Sequence, residues 1–538
     1  MLDIRRCFDV NVDDLQRELD RKRAALGEEA YAKLRTGIEA LRYLEELVAD
    51  QSVTMAELRR LIVIHGGTEK TREVLRQVGL EAAAPETSDE ARPRAPIPGH
   101  GRRAATAYPG ARRIVVAHPT LRAGDRCPEC HTGKVYPQRE PKWQIRFVGH
   151  APLAATVYER ARLRCNLCNQ VFTAPAPEGV GEEKYDATAV STLALLKYGS
   201  GVPFARLAGL QRSYGLPLPE STQYEILQEA AVAFRPALEE LIRQGAQGEV
   251  VHNDDTGMKV LGLPADTEAT EAAGRPRTGT FTSAIVARVA DHQIALYFTG
   301  RRHAGENLAT VLAHRAVDLA PPIQMCDALS RNLPKPLEVI LANCLAHGRR
   351  QFVEVAANFP DECRYVLERL AEVYRVEEQA RAQRLSPEER LRLHQTDSGP
   401  VMTALHAWLT AQLKEHRVEP NSGLGRAIRY LLTHWEPLTL FLRKAGAPLD
   451  NNAAERALKK AILNRKNAFF YKTANGARVG DLYMSLVHTC ELNGINAFDY
   501  LTELQRHAAE LATTPSDWVP WTYQQTLARA NSPGGPAP

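Results

Sequence analysis

The chain has 538 residues, of which 44% are hydrophobic and 25% charged. That balance excludes a disordered or fibrous protein and leaves room for roughly three or four domains. The net charge of +4 identifies no polyanionic partner, so nucleic-acid binding must be read from local clusters. No apolar run approaches the ~20 residues that span a bilayer, and the charged opening MLDIRRCFDVNVDDLQRELD lacks a signal-peptide core. The expectation is a cytoplasmic protein with no membrane partner.

In chain order, residues 12–50 read as helix, with Leu34, Ile38, Leu41, Leu44 and Val48 forming one apolar stripe. Thr54-Met-Ala-Glu57 has the form of a capping box and opens a short second helix. The stripe is too short to separate a coiled coil from a helical hairpin. Residues 1–80 are read as an N-terminal helical domain, and 81–118 as a basic Pro/Ala/Gly/Arg linker. Arg102, Arg103, Arg112 and Arg113 of that linker either touch DNA phosphates or keep a tether solvated.

Four of the nine cysteines form two pairs, Cys127-x-x-Cys130 and Cys165-x-x-Cys168. In a reducing compartment such pairs are metal ligands rather than disulfides. Each puts two thiolates on a tight turn, and two turns complete a tetrahedral site for one structural Zn²⁺. Trp143–Gly149 and Ala154–Arg160 read as strands between the pairs, so 119–178 is expected to be a zinc-ribbon module with a long insert. Arg160, Arg162 and Arg164 share one strand face, which is either DNA-facing or simply solvated. Residues 185–246 read as helices Ala187–Lys197, Pro203–Arg212 and Ser221–Arg243. The break at 213–220 has helix-turn-helix form, a pattern also common in helical domains that bind no DNA.

At Gln247 the texture changes. Three strands are expected, running through Glu249–Gly257, Thr280–Val289 and Gln293–Thr299, with Asp291-His292 as a turn. A helix at Asn307–His314 and a strand at Ile323–Asp327 follow. Residues 334–447 read as an all-helical insertion. After it come Leu449–Asn467, LDNNAAERALKKAILNRKN, in which Asp450, Asn451 and Asn452 can each cap the helix start, then a loop at 473–477 and helices at Val479–Asn493 and Ala497–Ala512. The chain is thus expected to be a multidomain α+β protein. A mixed-sheet core in two parts, 247–333 and 448–512, is interrupted by the insertion and followed by a flexible tail, 513–538.

Three carboxylates stand at notable places: Asp254 on the first core strand, Asp327 at the tip of the fourth, and Glu455 in the first turn of a cationic helix. Each alone is ordinary. Asp254 suits a turn, Asp327 a helix start, and Asn452-Ala-Ala-Glu455 a capping box. Together, in strand-strand-strand-helix-strand order, they are what an RNase H-like polynucleotidyl transferase requires. Two hard divalent ions such as Mg²⁺ need oxygen ligands from rigid elements. Arg456, Lys459, Lys460, Arg465 and Lys466 follow Glu455 and suit a polyanion.

Longer phrases carry a resemblance. They are Leu61–Thr71, the cysteine module, Lys197-Tyr-Gly-Ser-Gly-Val-Pro-Phe, His252-Asn-Asp254-Asp255-Thr256, Cys344-Leu-Ala-His347-Gly-Arg349-Arg350, Asp450-Asn-Asn-Ala-Ala-Glu455-Arg456 and Asn464-Arg-Lys466-Asn467-Ala-Phe-Phe. Across most of its length the chain resembles a bacterial DDE transposase of the insertion sequence 66 type. The resemblance implies that Asp254, Asp327 and Glu455 hold two Mg²⁺ (or Mn²⁺) ions per active site. The first would activate water and then the freed 3′-hydroxyl, and the second would stabilise the leaving oxygen. It implies double-stranded DNA partners, transposon ends and target, on a homodimer or higher assembly, with accessory proteins and a nucleoid location when DNA-bound. Arg349, Arg350, Arg456, Lys459, Arg465 and Lys466 become the DNA-binding set, and His347 either supports the site or fills the core. The family has Glu where this chain has Asp255, which leaves open which neighbour is the ligand; alternation allows one per face, and Asp254 is chosen. The family's aromatic phrase after the second acid is replaced by Asp327-Ala-Leu-Ser-Arg-Asn. Two other readings stand beside transposition: a catalytically inactive DNA-binding regulator or accessory protein, and a nuclease without strand transfer.

Overall fold

The computed structural model describes residues 19–22, 31, 34–35, 38, 119–137, 151–164, 171–180, 183–263 and 277–530. They fall into two units. Of the N-terminal stripe, Ile38 is buried with Leu19 and Tyr31, whereas Leu34 is 49% exposed. The remainder of that stripe, the capping box at Thr54 and the linker 81–118 lie outside the described residues.

The smaller unit takes in the described residues of Ala83–Pro177 and Leu207–Pro219. Here β1 (Arg162–Arg164) pairs antiparallel with β2 (Val171–Thr173). The strand expected at Ala154–Arg160 does not form: those residues have no regular secondary structure, and the ladder begins at Arg162. Arg160 instead donates from its side chain to the carbonyl of Ala174 at 2.6 Å. The expected strand Trp143–Gly149 lies outside the described residues.

In chain order the next helices are α1 (Ala187–Ala194, continued by a π-turn Leu195–Gly199), α2 (Phe204–Ser213), which from Leu207 on belongs to the smaller unit, and α3 (Glu220–Gly245). The larger unit follows α1 and α3 with a five-stranded mixed sheet. Its strands are β3 (Val250–Gly257), β5 (Phe281–Val289), β6 (His292–Gly300), β7 (Ile323–Cys326) and β8 (Ile340–Asn343); β4 (Val260–Gly262) lies apart. The order across the sheet is β6-β5-β3-β7-β8. Hairpins make the first two pairings antiparallel, with the β5–β6 turn at Ala290-Asp291. Helix α4 (Ala304–Leu312) crosses over to β7, and β3, β7 and β8 run parallel. Strand β8 falls inside a stretch expected to be helical. Its four residues, Ile340–Asn343, are too few for periodicity to reveal.

The insertion proper comprises α5 (Leu345–Val355), α6 (Pro360–Ala382), α7 (Pro387–Leu393), α8 (Gly399–Lys414) and α9 (Gly423–Thr433). Phe352, Leu367, Leu370, Leu405, Leu409 and Ile428 form its core, which runs without a break into Met325 and Ala342 of the sheet. Helices α5 and α9 cross closely at Gly348, where an added Cβ would meet Leu431 at 2.6 Å. Inside the bundle Glu377 accepts from Arg381 (2.8 Å), Arg390 (2.7 Å) and His394 (3.0 Å). Burial opposes its charge, yet the His394 and Arg390 hydrogen bonds and the arginine charges hold its carboxyl at about 2.

The chain then returns through α10 (Asn452–Ala468), which lies across β3 and β5 on buried Ala454, Ala457, Leu458 and Ala461. The strand β9 (Tyr471–Thr473) pairs parallel with β4. Thr473, expected in a loop, caps α11 (Ala474–Leu492) by accepting from the Gly476 N–H at 3.0 Å. The tail expected to be flexible from 513 packs as far as Ala530, with Trp518, Val519 and Tyr523 buried and the Tyr500 hydroxyl donating to the Trp518 carbonyl at 2.9 Å. Among the described residues no helix is long and apolar enough to cross a membrane.

Edge strand β6 would leave every second backbone group open to an intruding strand. Helix α11 closes it. The N–H groups of Gln293, Ala295, Tyr297 and Thr299 donate to the side chains of Asn493 (3.1 Å), Thr489 (3.1 Å), Ser485 (3.0 Å) and Asp481 (2.7 Å). Four helical residues rise ~6 Å and two strand residues ~6.8 Å, so i+4 on the helix keeps step with i+2 on the strand. Burial pushes the Asp481 carboxyl up to about 7 against the hydrogen bonds from Thr299 and the charge of Arg478.

Replacing Thr489 by Val leaves the buried Ala295 N–H without an acceptor, an expected loss of about 1–3 kcal/mol in denaturant unfolding. Asp481→Asn acts oppositely. A folded-state pKa raised above the unfolded value gives stability that is present at low pH and lost as pH rises through about 7. The variant should therefore melt higher than the parent at pH 8 and close to it at pH 5.

Candidate metal centre

Strand β3 carries the first acid. It pairs in parallel register with β7, from Val250 opposite Ile323 to His252 opposite Met325. Two residues further along the same register, Asp254 stands beside Asp327. Both carboxyls are pushed up. For Asp254, burial acts first and the neighbouring charges of Asp327, Asp255 and Glu455 add to it, bringing it to about 7 despite an N–H from Asp255. For Asp327, burial outweighs the opposing influence of His347 and Arg331 beside it. A buried amide group sets Asp327. Asn253 Nδ2 and Gln324 Nε2 donate to the Asn332 carbonyl at 2.8 and 2.7 Å, and Asn332 in turn donates to Asp327.

Asp255 faces the other way, as alternation requires. Its side chain is only 2% exposed. It meets His303 Nδ1 at 2.8 Å, the Ala304 N–H at 3.3 Å and Arg331 at 3.5 Å. The Asp255 carboxylate thus sits on the N-terminus of α4, where the helix dipole favours a negative charge.

Glu455 completes the cluster from α10. The capping-box alternative for Glu455 does not hold. The helix cap is Asn451, which makes no side-chain capping bond, and Glu455 instead approaches His347 Nδ1 at 3.9 Å. Asn451, expected only as a cap, is fully buried and joins three elements. Its Oδ1 lies 3.1 Å from His252 Nδ1, its Nδ2 donates to the Asn253 carbonyl at 3.1 Å, and its N–H reaches Cys344 Sγ at 3.3 Å. Burial holds His252 well below its ordinary range, at about 4, so the ring is neutral. Asn451 thereby fixes the start of α10, and with it Glu455, against the strand that carries Asp254.

The donor atoms of Cys344, His347 and Glu455 lie within 4.8 Å of one another. Burial pushes the Cys344 thiol up to about 11, which keeps it protonated at neutral pH and makes it a poor metal ligand beside three carboxylates. Burial first, and then the charges of Asp327, Asp255 and Glu455, raise the Asp254 carboxyl; a hard divalent cation would offset both, so these oxygen donors suit Mg²⁺ or Mn²⁺.

The cationic residues separate. Arg456, Lys459 and Lys466 are exposed along α10. Arg465 turns inward, donating to Thr256 Oγ1 at 3.0 Å and to the Gly257 carbonyl, and anchors the end of β3. Arg350 is partly exposed, but Arg349 is 8% exposed. The DNA contact expected of Arg349 thus falls on a residue that is almost wholly buried. Residues that sequence reasoning missed are His303, Arg331 and Asn332. His303 is the N-cap of α4, and Arg331 and Asn332 lie in a single 3-10 turn, Ser330–Asn332, too short to show a period.

In the cysteine module, Cys127 and Cys130 lie on one tight turn. The Gly133 N–H points at Cys130 Sγ at 3.4 Å, and the Cys127 N–H donates to the Gly133 carbonyl at 2.8 Å. Hydrogen bonds from Gly133 and Thr132 lower the Cys130 thiol to about 6, which suits a thiolate ligand. Cys165 and Cys168 lie outside the described residues.

A family model described as "Transposase IS66 family" matches residues 183–479, a span that holds all three acids and leaves out the cysteine module. Similar curated proteins come from Sinorhizobium fredii. "Uncharacterized protein y4jD" is 28% identical over 386 residues, covering 68% of this chain and 72% of that protein. "Uncharacterized protein y4hP" is 26% identical over 389 residues, covering 69% and 68%.

Opposite responses are expected from the adjacent acids in the metal-free protein. The raised Asp254 carboxyl gives stability that is complete at low pH and lost as pH rises through about 7. Asp254→Asn should therefore raise the melting temperature at pH 8. Asp255→Ala strands the His303 and Ala304 donors and should cost about 1–3 kcal/mol. Thermal melts of both variants check this, and a reversed pair of outcomes would exchange their roles.

Proposed function

The chain belongs to the IS66 transposase family, and on that premise we propose that it cuts DNA at the ends of an insertion sequence and joins the freed 3′-hydroxyls to target DNA. What supports this reading is that Asp327, at the tip of the parallel neighbour strand, and Glu455, at a helix start, both act by charge on the buried Asp254, whose carboxyl is pushed up to about 7. The three acids hold two Mg²⁺ or Mn²⁺ ions; when bound, such a pair activates the attacking oxygen and stabilises the leaving one. The strand order β6-β5-β3-β7-β8 supports reading the core as RNase H-like, with the helical block as an insertion. Asn451 and Asn332 keep two of the acids in position. His347 shares the charge of Glu455 and Asp327. Arg350, Arg456, Lys459 and Lys466 bind the phosphates of double-stranded DNA.

Cys127, Cys130, Cys165 and Cys168 hold one structural Zn²⁺ in a ribbon module, and the helical stretch 185–246 contributes DNA binding. Two copies of the chain, with or without accessory proteins, bring two ends together on DNA in the bacterial cytoplasm.

The test is cleavage and joining of DNA carrying the element's own ends, in Mg²⁺ or Mn²⁺. Asp254→Ala, Asp327→Ala and Glu455→Ala should each retain DNA and lose at least roughly a hundredfold in cutting, the scale seen when charge stabilisation is removed. Mn²⁺ should raise the melting temperature of the parent but not of Asp254→Ala. Cutting without joining would reduce the activity to that of a nuclease. Retained cutting in all three variants would sink the assignment.

A further inference from the structure

Helix α10 leaves one face to solvent. Arg456, Lys459, Leu463 and Lys466 are exposed, and their spacing of three and four residues sets them in one stripe that begins beside Glu455. The stripe ends on two aromatic rings, Phe469 and Phe470, which are 72% and 42% exposed.

The backbone at Phe469 is unusual. Its φ is 66° and ψ −43°, and the Phe470 N–H donates to the Ala468 carbonyl at 2.8 Å. This is a γ-turn of the rare, strained hand. Helices that end at positive φ normally do so on Gly or Asn, because a bulky side chain clashes there. The strain persists because the flanks are fixed. The Phe469 N–H donates to the Arg465 carbonyl at 2.8 Å and the Tyr471 N–H to the Lys259 carbonyl at 2.9 Å. The phrase beginning at Lys197 clamps the helix from the side. Buried Lys197 donates to Asn464 Oδ1 at 2.9 Å, and Asn467 Nδ2 donates to the Gly201 carbonyl at 2.9 Å. A Cβ on Gly201 would meet Leu463 at 2.8 Å, so the clamp depends on close approach. The chain thus holds a strained turn whose product is a large ring standing in solvent.

We propose that Phe469, backed by Phe470, is a wedge that enters a base step of the duplex lying along the α10 stripe. The proposal rests on the reading of the carboxylate cluster as a DNA-cutting site. Charge complementarity names the occupant: the cationic stripe starts at that site and leads to the rings. Apolar side chains pushed between base steps unstack them and bend the duplex. Fourteen residues of helix span about 21 Å, or about six base steps from the scissile phosphate. The expected effect is a local kink at that distance, reached without base-specific hydrogen bonds.

The experiment uses the full chain with Ca²⁺ in place of Mg²⁺, so that DNA binds without being cut. Duplexes carrying the element's terminal sequence hold a single 2-aminopurine at successive steps, about four to eight from the cleavage point. Wild-type protein should raise the fluorescence several-fold at one of these steps. Phe469→Ala and Phe469→Gly should abolish the rise at saturating protein, and Phe469→Tyr should keep it. Lys466→Ala should weaken binding in a salt-dependent way yet keep the rise once bound. Phe469→Gly should also melt above the parent, since glycine relieves the positive φ; this separates loss of the wedge from loss of the fold. Bound DNA with no rise at any step overturns the wedge and leaves the cutting site standing. Failure to retain the duplex overturns both. A change in the mass of the DNA-free chain on Phe469→Ala marks a protein contact and overturns the wedge.

Discussion

Alternation along a single strand governs the centre of this protein. From His252 to Thr256, every residue of β3 is committed to a neighbour outside the strand. His252 meets Asn451, Asn253 accepts from Asn451 and donates to the loop after β7, Asp254 joins the acids, Asp255 seats α4, and Thr256 receives Arg465. A strand sends successive side chains to opposite faces, so one short segment can fix a helix on one side and a carboxylate cluster on the other. A one-residue slip would exchange the two roles and bury the wrong acid.

The long insertion is tolerated because its ends meet. The Leu345 N–H donates to the Leu449 carbonyl at 2.9 Å, so about a hundred residues enter and leave the sheet at one point. Its apolar core is continuous with Met325 and Ala342, which gives the bundle a fixed seat on the strands rather than a tether. The ion-paired Glu377 lies deep in this bundle. Removing either partner of such a pair leaves an uncompensated buried charge, so the network ties α6 to α7 more strongly than an exposed bridge would.

The same helix, α10, serves three ends. Its alanines let the backbone lie close on β3 and β5, its first turn delivers Glu455, and its outer face carries the basic stripe that ends in the strained aromatic turn. Close seating and a fixed first turn are what a metal-binding carboxylate needs, because ligand geometry tolerates little movement. The opposite edge of the sheet is closed by α11, whose four polar side chains stand in for a missing strand.

Much was legible in the sequence. Long, strongly patterned elements such as Phe281–Val289 and Glu220–Gly245 announce themselves by periodicity, and the longer phrases carry the family. The choice between Asp254 and Asp255 was narrowed by alternation to one per face, but which face held the cluster was decided by where α4 packs. Asn451 read as a cap because caps are local; its actual work spans nearly two hundred residues, and no local pattern encodes that. Strand β8 was hidden because four residues carry no period, and its strand form comes from hydrogen bonds supplied by β7. Arg349 and Arg465 read as surface cations, and packing turned both away from solvent. The sequence by itself determined which residue types were available and where the regular elements lie, since those follow from local propensity and spacing. Only the tertiary structure decided that Asp255 seats α4 while Asp254 stands beside Asp327, and that Asn451 joins α10 to β3, because burial and hydrogen-bond partners are set by residues far apart in the chain.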